Sequence, residues 1–346
     1  MRVLCAMSGG VDSSVAAALL LEAGHEVVGV TMKLWGGESD TGCCSVSDVD
    51  DARRVAQQLG IDHHVFNFGD EFDAHVVAPY VAAHASGRTP NPCIECNRHL
   101  KFSKLLRRAD ALGFEAVATG HHARVVERLD GTRRVGRGAD VAKDQSYVLY
   151  MLDQAQLARV VLPVGGLAKS AVRAMAARLG LRTAAKPDSQ DVCFITSSSG
   201  RDGFLGRRLT FTPGQVVDHD GVVVGAVPAV ELVTIGQRHG LGVAGGGPSQ
   251  YTLDVDVPSA TVLVGDARAL LSQAVQLEQL SWSDSAHDGA VLAQCSAHGA
   301  ARPAFIDAAS GDLAWEEPQR RVAPGQAVVL YDGDEVIGGG IAVSRR

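Results

Sequence analysis

Short apolar runs alternate with helical patterns through the first half of this 346-residue chain. The apolar runs are "RVLCAM" at 2–7, "HEVVGVTM" at 25–32 and "DHHVFNF" at 62–68. Helical patterns separate them, one beginning at Asp12 and one covering 47–60. Because strands that alternate with helices return in the same direction, this order predicts a parallel sheet that helices cover on both faces.

The alternation is interrupted after a further helical stretch at 69–85. A loop rich in turn residues, "SGRTPNPCIECN" at 86–97, precedes a basic helix predicted at 97–112 and a strand, "EAVATG", at 115–120. Beyond about residue 200, valine-rich runs separated by Gly, Pro and Asp indicate small β units. The predicted domains are, in chain order, 1–199, 200–267 and 268–346.

Composition narrows the class of protein. Hydrophobic residues make up 46% and charged residues 21%, as in soluble globular proteins. The N-terminus has no cationic and apolar leader, and no run approaches the roughly 18 apolar residues of a membrane span, so we expect a cytoplasmic protein without membrane contact. The net charge of −7 does not exclude nucleic acid, because local patches decide such binding.

Seven cysteines are scattered over the chain. A framework of disulfides is not expected in a chain of this length and predicted compartment. Each cysteine is therefore a core residue, a ligand or a reagent.

The turn at Ser8-Gly9-Gly10-Val11-Asp12-Ser13 follows a strand and begins a helix. Its backbone N–H groups converge at the positive end of the helix, which favours an anion, and adjacent glycines let the main chain approach phosphate. Asp12 either caps the helix or helps to position magnesium. The turn lacks the Lys-Ser/Thr pair of a Walker A loop, and a plain glycine turn is the structural alternative.

The stretch "SGGVDSS" at 8–14 resembles the PP-loop of N-type ATP pyrophosphatases. Further motifs resemble the bacterial tRNA-specific 2-thiouridylase (MnmA) family over nearly the whole chain. These motifs are "GRTP" at 87–90, "NPCIECNRHLKF" at 91–102, "ATGHHAR" at 118–124, "KDQSYVLY" at 143–150, "KPDSQDVCFI" at 186–195 and "TIGQRHGLG" at 234–242.

The resemblance implies an α/β PP-loop ATP pyrophosphatase domain, a small central module and a C-terminal β-barrel. It also implies ATP-dependent 2-thiolation of the wobble uridine, position 34, in the anticodon loop of tRNAs for Lys, Glu and Gln. Magnesium would accompany ATP. A cysteine desulfurase or a sulfur-relay protein would supply persulfide sulfur.

The same resemblance assigns residues to roles. Cys96 is the nucleophilic or resolving thiol, and Cys193 carries the persulfide. The implied ATP-binding residues are Ala6, Met7, Ser8, Gly9, Gly10, Val11, Asp12, Ser13, Met32 and Gly120. The implied tRNA-binding residues are Asn91, Pro92, Cys93, His121, Lys143, Asp144, Gln145 and Gln326. No residue is assigned to a metal site.

Several structural alternatives stay open at this stage. Cys93-x-x-Cys96 has the spacing of half a zinc site, although Cys43-Cys44 does not supply a second such pair. Cys193 has apolar neighbours and fits a core strand equally well. Met32 alone would be a packing residue, and Gly120 a tight turn at a strand end. Cys93 stands where the family often has aspartate.

The basic helix also has two interpretations. It contains Arg98, Lys101, Lys104, Arg107 and Arg108, of which Lys101, Lys104 and Arg108 are spaced to share one face. That face would either follow an RNA backbone or simply be solvated.

Two other functions compete with thiolation. One is a PP-loop amidotransferase or synthetase that uses ammonia, and the other is an ATP-binding tRNA-recognition protein without catalysis. Cys96 and Cys193 favour sulfur transfer over amidation, since a persulfide sulfur and a second thiol are what that transfer requires. The intact phosphate-binding turn disfavours a passive binding protein.

Overall fold

The computed structural model describes residues 1–34, 46–188, 192–195, 199–244 and 247–343. Cys43 and Cys44 lie outside the described residues. No helix in these ranges combines the length and apolarity that a membrane span requires.

The N-terminal part contains a parallel sheet with the strand order β3-β2-β1-β4-β7. This confirms the predicted fold class. The described strands of this part are β1 (Arg2–Ala6), β2 (Glu26–Lys33), β3 (His63–Asn67), β4 (Ala116–Ala118), β5 (Ala123–Glu127), β6 (Arg133–Arg137) and β7 (Val160–Val161).

Helices cover both faces of this sheet. Along β1, Val3 and Cys5 pack into one apolar core while Leu4 and Ala6 pack into the other, because alternate side chains of a strand point to opposite faces. The described α-helices are α1 (Val11–Glu22), α2 (Val46–Leu59), α3 (Gly69–Phe72), α4 (Ala78–Ala85), α5 (Pro92–Glu95), α6 (Leu105–Ala111), α7 (Gln154–Leu157), α8 (Lys169–Arg178) and α9 (Gly200–Gly206).

Two pairs of these helices are joined by wider, π-helical stretches. Asp73–Val77 joins α3 to α4, which confirms the helical stretch predicted at 69–85. Cys96–Lys104 joins α5 to α6, and we call the resulting segment 92–111 the cysteine helix. Single 3₁₀ turns lie at Val141–Lys143, Ser146–Leu149 and Val230–Leu232.

The cysteine helix begins five residues before its predicted start at Asn97, so that prediction is wrong. The Asn91 side-chain oxygen accepts a hydrogen bond of 3.0 Å from the N–H of Cys93 and caps the helix. Pro92 occupies the first helical position, where no N–H donor is needed. The residues that suggested a loop are therefore the start signal of the helix, and Cys96 lies inside it rather than before it.

The remaining strands form two smaller sheets, and the predicted β units are confirmed. The central sheet has the order β10-β11-β8-β9, and the C-terminal strands form a closed antiparallel barrel in the order β12-β15-β14-β13-β16-β17, closed by pairing of β12 with β17. The strands are β8 (Gly214–Val217), β9 (Val223–Val227), β10 (Tyr251–Asp256), β11 (Thr261–Gly265), β12 (Leu271–Trp282), β13 (Gly289–Gln294), β14 (Arg302–Ile306), β15 (Asp312–Arg320), β16 (Ala327–Asp332) and β17 (Glu335–Val343).

The hairpin of β5 and β6 attaches the N-terminal part to this barrel. Gly136 of β6 pairs with Glu335 of β17. Beside this pairing, Arg134 donates to a carboxylate oxygen of Asp284 through Nη2 at 2.9 Å and Nε at 3.2 Å. Arg128 donates to the same oxygen at 3.3 Å. An ion pair that is largely shielded from water thus fastens the hairpin to the barrel.

We predict that Asp284→Asn lowers the free energy of unfolding by about 1–3 kcal/mol at pH 7, because charged hydrogen bonds are lost. Burial by itself raises the pKa of Asp284, but the Ser285 N–H and the Arg134 guanidinium outweigh burial and lower it. Because the pKa of Asp284 is lower in the folded protein than in the unfolded chain, its ionised carboxylate stabilises the fold above the unfolded pKa of about 3.9. This stabilisation is lost as the pH falls through the folded-state pKa. Urea unfolding at pH 7 and pH 3 measures both effects.

Asp334→Asn is the matched control for this experiment. The Asp334 side chain is 75% exposed and lies 3.9 Å from Nε of Arg137. Its replacement should change stability by less than about 0.5 kcal/mol. The role of this ion pair would be contradicted if the two substitutions changed the free energy of unfolding equally. It would also be contradicted if the stability difference between wild type and Asp284→Asn did not shrink at low pH.

Candidate active site

A cavity of about 590 Å³ opens at the carboxyl edge of the parallel sheet. This edge is where ligands bind in open α/β sheets. Its walls come from the loop after β1, the end of β2, the cysteine helix and the segments 119–122 and 142–148. Ala297 and His298 of the barrel complete the lining. The site is therefore built from both ends of the chain.

Most of the residues implied by the sequence lie in this cavity. Gly9, Asn91 and Gln326 are not part of its lining. The implied residues that do line it are Ala6, Met7, Ser8, Gly10, Val11, Asp12, Ser13, Met32, Pro92, Cys93, Cys96, Gly120, His121, Lys143, Asp144, Gln145 and Cys193.

The loop 8–13, which we call the phosphate loop, is braced by its own hydroxyl groups. Ser13 Oγ donates to the carbonyl of Gly10 at 3.1 Å and accepts from the N–H of Ser8 at 3.1 Å. Gly9 has a φ of +71°, and a Cβ there would lie 2.3 Å from the carbonyl oxygen of Asp48. Only glycine fits this position, so Gly9 shapes the loop although it does not line the cavity.

The end of β4 presses against the same loop. A Cβ on Gly120 would lie 2.6 Å from the backbone nitrogen of Ser13 and 2.7 Å from the carbonyl carbon of Asp12. The absence of a side chain at Gly120 therefore permits close contact between two main chains.

Asp12 does not cap α1, which corrects one of its two predicted roles. The cap is Gly10, which has no side chain to offer, and Asp12 lies in the first turn. Lys169 Nζ contacts both Asp12 carboxylate oxygens, at 2.7 and 2.6 Å, and His122 Nε2 lies 2.9 Å from Oδ1. Burial acts to raise the pKa of Asp12, but the hydrogen bonds from His122 and Lys169 outweigh it and lower the pKa.

These contacts also test Asp12 as a magnesium ligand. Magnesium sites usually use one or two carboxylates together with phosphate and water oxygens. Both oxygens of Asp12 are engaged by Lys169, so this carboxylate would have to give up that partner to bind a metal ion. The side chains described at this position therefore do not fit a resident magnesium ion.

Lys169 and Asp188 are site residues that the sequence analysis missed. Asp188 accepts from Lys143 at 2.7 Å, from Lys169 at 2.9 Å and from Arg173 at 2.6 Å. Burial raises its pKa, but the bonds from Lys143 and Lys169 outweigh burial and hold the pKa far below its usual value. The sequence shows only a lysine at position 169, and no local pattern links that position with position 12.

A second cation, Lys186, faces the cavity near the phosphate loop. Its Nζ lies 2.6 Å from Asp48 and 2.7 Å from Asp51. Lys186 and Asp188 belong to the motif that carries Cys193. The motif that contains Lys186 and Asp188 was thus visible in the sequence, but only the fold shows that it lies beside the phosphate loop.

Three cysteines line the cavity together. Cys96 is 6% exposed, Cys193 is half-buried and Cys93 is exposed. Cys193 lies in a turn rather than a strand, so the core-strand alternative is wrong. The Phe194 ring anchors this turn, with centroids 5.6 Å from Phe72 and 5.0 Å from Phe204. The half zinc site gains no support, because the described residues contain no metal-binding cluster around these thiols.

The residues implied in tRNA binding have internal partners in this structure. His121 is buried, and its Nδ1 lies 2.7 Å from Thr119 Oγ1. Burial, helped by the charges of Lys101 and His122, holds the pKa of His121 well below its usual value, so the ring is neutral at pH 7. The Gln145 side-chain oxygen accepts from the N–H of His122 at 2.8 Å. Their roles toward RNA stay predictions.

Asp144 and Gln326 brace the fold as well. The Asp144 carboxylate accepts from Arg137 and from the Ser146 hydroxyl at 2.9 and 2.8 Å, and from two backbone N–H groups. The Gln326 amide donates to the carbonyl of Thr89, two residues before Asn91. Gln326 thus ties the barrel to the chain that begins the cysteine helix.

The cations of the predicted basic face have different surroundings, and a role of that face toward RNA stays a prediction. Lys101 lines the cavity, whereas Lys104 bonds to Glu71 and lies over the ring of Phe68. Arg108 lies 5.2 Å from the ring centroid of Phe66. Lys104 and Arg108 therefore contact aromatic rings of neighbouring residues, while Lys101 lies at the cavity.

Three family models match successive parts of the chain. They are described as tRNA methyl transferase HUP domain at residues 1–197, tRNA methyl transferase PRC-barrel domain at 202–266, and Aminomethyltransferase beta-barrel domain at 272–342.

Solved structures show more distant likeness. A 4-thiouridine synthetase in complex with RNA and ATP is 19% identical, with a TM-score of 0.39, over 56% of this chain and 44% of that chain. The U34-tRNA thiolase NcsA of Methanococcus maripaludis is 18% identical, with a TM-score of 0.38, over 60% of this chain and 65% of that chain.

Curated relatives match nearly the full chain. The tRNA-specific 2-thiouridylase MnmA of Roseiflexus sp. (strain RS-1) is 45% identical over 371 residues, which cover 98% of this chain and 98% of the relative. The protein of the same name from Streptomyces avermitilis is 46% identical over 352 residues, 98% of this chain and 93% of the relative. With these matches, and with the phosphate loop and the cavity cysteines in the positions described above, the chain belongs to the tRNA-specific 2-thiouridylase (MnmA) family.

Proposed function

We propose that this protein is an ATP-dependent tRNA-uridine 2-sulfurtransferase that acts on the wobble uridine, position 34, of tRNAs for Lys, Glu and Gln. The observation that carries the proposal is one cavity that contains both the phosphate loop and the pair Cys96 and Cys193. An ammonia-using enzyme would need the phosphate loop but not the two thiols. The names of the full-length relatives support the same reaction.

The first step uses the phosphate loop. Backbone N–H groups at the start of α1 suit the triphosphate of ATP. The uridine 2-carbonyl oxygen attacks the α-phosphorus, the bond to the β-phosphate oxygen breaks, and pyrophosphate leaves. Activation of the oxygen in this way converts it into part of a leaving group, AMP.

The second step uses the two thiols. The terminal sulfur of a Cys193 persulfide attacks the activated carbon, and AMP departs with the former carbonyl oxygen. The Cys96 thiolate then attacks Sγ of Cys193, so the sulfur–sulfur bond to the base breaks and the base keeps the transferred sulfur. A Cys96–Cys193 disulfide remains. Disulfide geometry requires Cα atoms roughly 4.4–6.8 Å apart, so Cys96 and Cys193 must be within that range at this step of turnover.

Further components follow from this reaction. A cysteine desulfurase or a sulfur-relay protein supplies the persulfide, and magnesium arrives with ATP rather than on Asp12. The base must leave its stack to reach the cavity. Pro92 and Cys93 of the cavity wall, together with Asn91 just before them, are assigned to the target nucleotide. His121, Lys143, Asp144, Gln145 and Gln326 are assigned to tRNA contacts or to the positioning of those contacts.

We predict that turnover releases AMP and pyrophosphate in equal amounts, one of each for every 2-thiouridine formed. The physical reason is attack at the α-phosphorus of an ATP whose phosphates lie on the backbone N–H groups of the phosphate loop. Ion-exchange separation of the products from ATP labelled at the α- and γ-phosphates measures the ratio. Production of ADP and inorganic phosphate that depends on tRNA would contradict adenylation.

We predict that Gly120→Ala weakens ATP binding at least about tenfold, equivalent to about 1.4 kcal/mol, since the new Cβ displaces the phosphate loop. Gly166→Ala is the control, because a Cβ there meets nothing within 4 Å. Isothermal titration calorimetry measures affinity, and a thermal melt checks that both variants fold. Wild-type affinity in a folded Gly120→Ala protein would remove Gly120 from the site.

We predict distinct defects for the two cysteine variants. Cys193→Ser abolishes sulfur loading and thiolation, whereas Cys96→Ser accepts the persulfide but does not complete transfer. Cys295→Ser is the control, because Cys295 is not among the residues that line the cavity. Radiolabelled sulfur on protein and on tRNA distinguishes the two stages. If either site variant thiolates tRNA at the wild-type rate, the two-cysteine mechanism is wrong.

A further inference from the structure

We propose that Cys93 is a third thiol of the catalytic cycle, which regenerates Cys193 after each sulfur transfer. In this scheme Cys93 attacks the Cys96–Cys193 disulfide, releases Cys193, and forms a Cys93–Cys96 disulfide. A dithiol reductant from solution then reopens that disulfide. The inference rests on the proposed function, because that function creates the first disulfide.

The first argument is the position of the two residues on the cysteine helix. The N–H of Cys96 donates to the carbonyl of Cys93, so the turn between them is helical. Residues three apart on a helix have Cα atoms roughly 5 Å apart and share one face. That separation lies within the range of about 4.4–6.8 Å that a disulfide requires. A Cys93–Cys96 bridge therefore needs no rearrangement between domains.

The second argument is the difference in exposure along this one turn. Cys96 is 6% exposed and packs in the apolar core, whereas Cys93 is exposed and lies at the cavity wall. A disulfide between Cys96 and Cys193 would join a buried sulfur to a half-buried one, with no exposed sulfur for a protein reductant. Exchange to a Cys93–Cys96 disulfide places one of the two bonded sulfurs at the surface.

The exchange balances without an added oxidant. The Cys93 thiolate attacks Sγ of Cys96, the sulfur–sulfur bond to Cys193 breaks, and the Cys193 thiolate leaves with the electron pair. One thiolate is consumed and one is formed. The later opening of the Cys93–Cys96 bond oxidises two thiols of the reductant to a disulfide and reduces both cysteines.

The consequence concerns sulfur supply. A Cys193 held in a disulfide cannot accept the next persulfide sulfur, whereas a released Cys193 can. The exchange thus restores the sulfur-accepting thiol before the external reductant acts. Cys93 then limits how fast successive turnovers follow the first.

The test follows the disulfide through a single turnover. Persulfide-loaded wild type and Cys93→Ser are mixed with ATP and tRNA without reductant, then quenched with an alkylating reagent and mapped as non-reduced peptides. Wild type should end with a Cys93–Cys96 bridge and an alkylated Cys193. Cys93→Ser should end with a Cys96–Cys193 bridge. Cys295→Ser should behave as wild type, and thermal melts check that each variant is folded.

Steady-state thiolation supplies a second readout. With a cysteine desulfurase, cysteine and a dithiol present, Cys93→Ser should show a ratio of steady-state rate to first-turnover rate about tenfold below that of wild type. The role of Cys93 would be overturned if peptide mapping of the wild type found only the Cys96–Cys193 bridge. It would also be overturned if Cys93→Ser had the same ratio of steady-state to first-turnover rate as wild type. Thiolated tRNA with no disulfide in either protein would instead overturn the two-cysteine reaction, and this inference with it.

Discussion

The ion pairs of Lys169 are the interaction on which the site depends. Lys169 is 8% exposed, and its Nζ contacts Asp12 on the phosphate loop and Asp188 near the Cys193 turn. A buried ammonium must be compensated by opposite charge, because its desolvation is costly. That requirement fixes Asp12 and Asp188 on either side of one cation. The phosphate loop and the Cys193 turn are thereby held at one cavity.

The cysteine helix is a further wall of this cavity, and its position depends on distant parts of the chain. The amide of Gln326 holds the carbonyl of Thr89, just before the cap residue Asn91. Close by, a Cβ on Gly325 would lie 3.1 Å from the Thr89 nitrogen, so the barrel and this segment are in contact. The C-terminal barrel is therefore part of the active-site framework, and it contributes Ala297 and His298 to the lining.

Internal bonding also changes the interpretation of the basic residues. Lys104 and Arg108 belong to a helical pattern that suggests an RNA-binding face, yet both side chains lie on the rings of β3 and its flank. Cations pack on aromatic faces when a neighbouring element presents them, and spacing along one helix carries no information about that neighbour. Lys101, one turn away, remains at the cavity.

The sequence by itself determined the parallel sheet, the phosphate loop and the family, because strand and helix periodicity and the adjacent glycines are local features. It also contained the start of the cysteine helix in Asn91-Pro92, a cap signal hidden among turn residues. Only the tertiary structure decided that Asp12 pairs with Lys169, 157 positions away, rather than capping α1. Such ion pairs depend on which buried charges the fold brings together, and no local sequence pattern indicates that two residues so far apart in the chain are in contact.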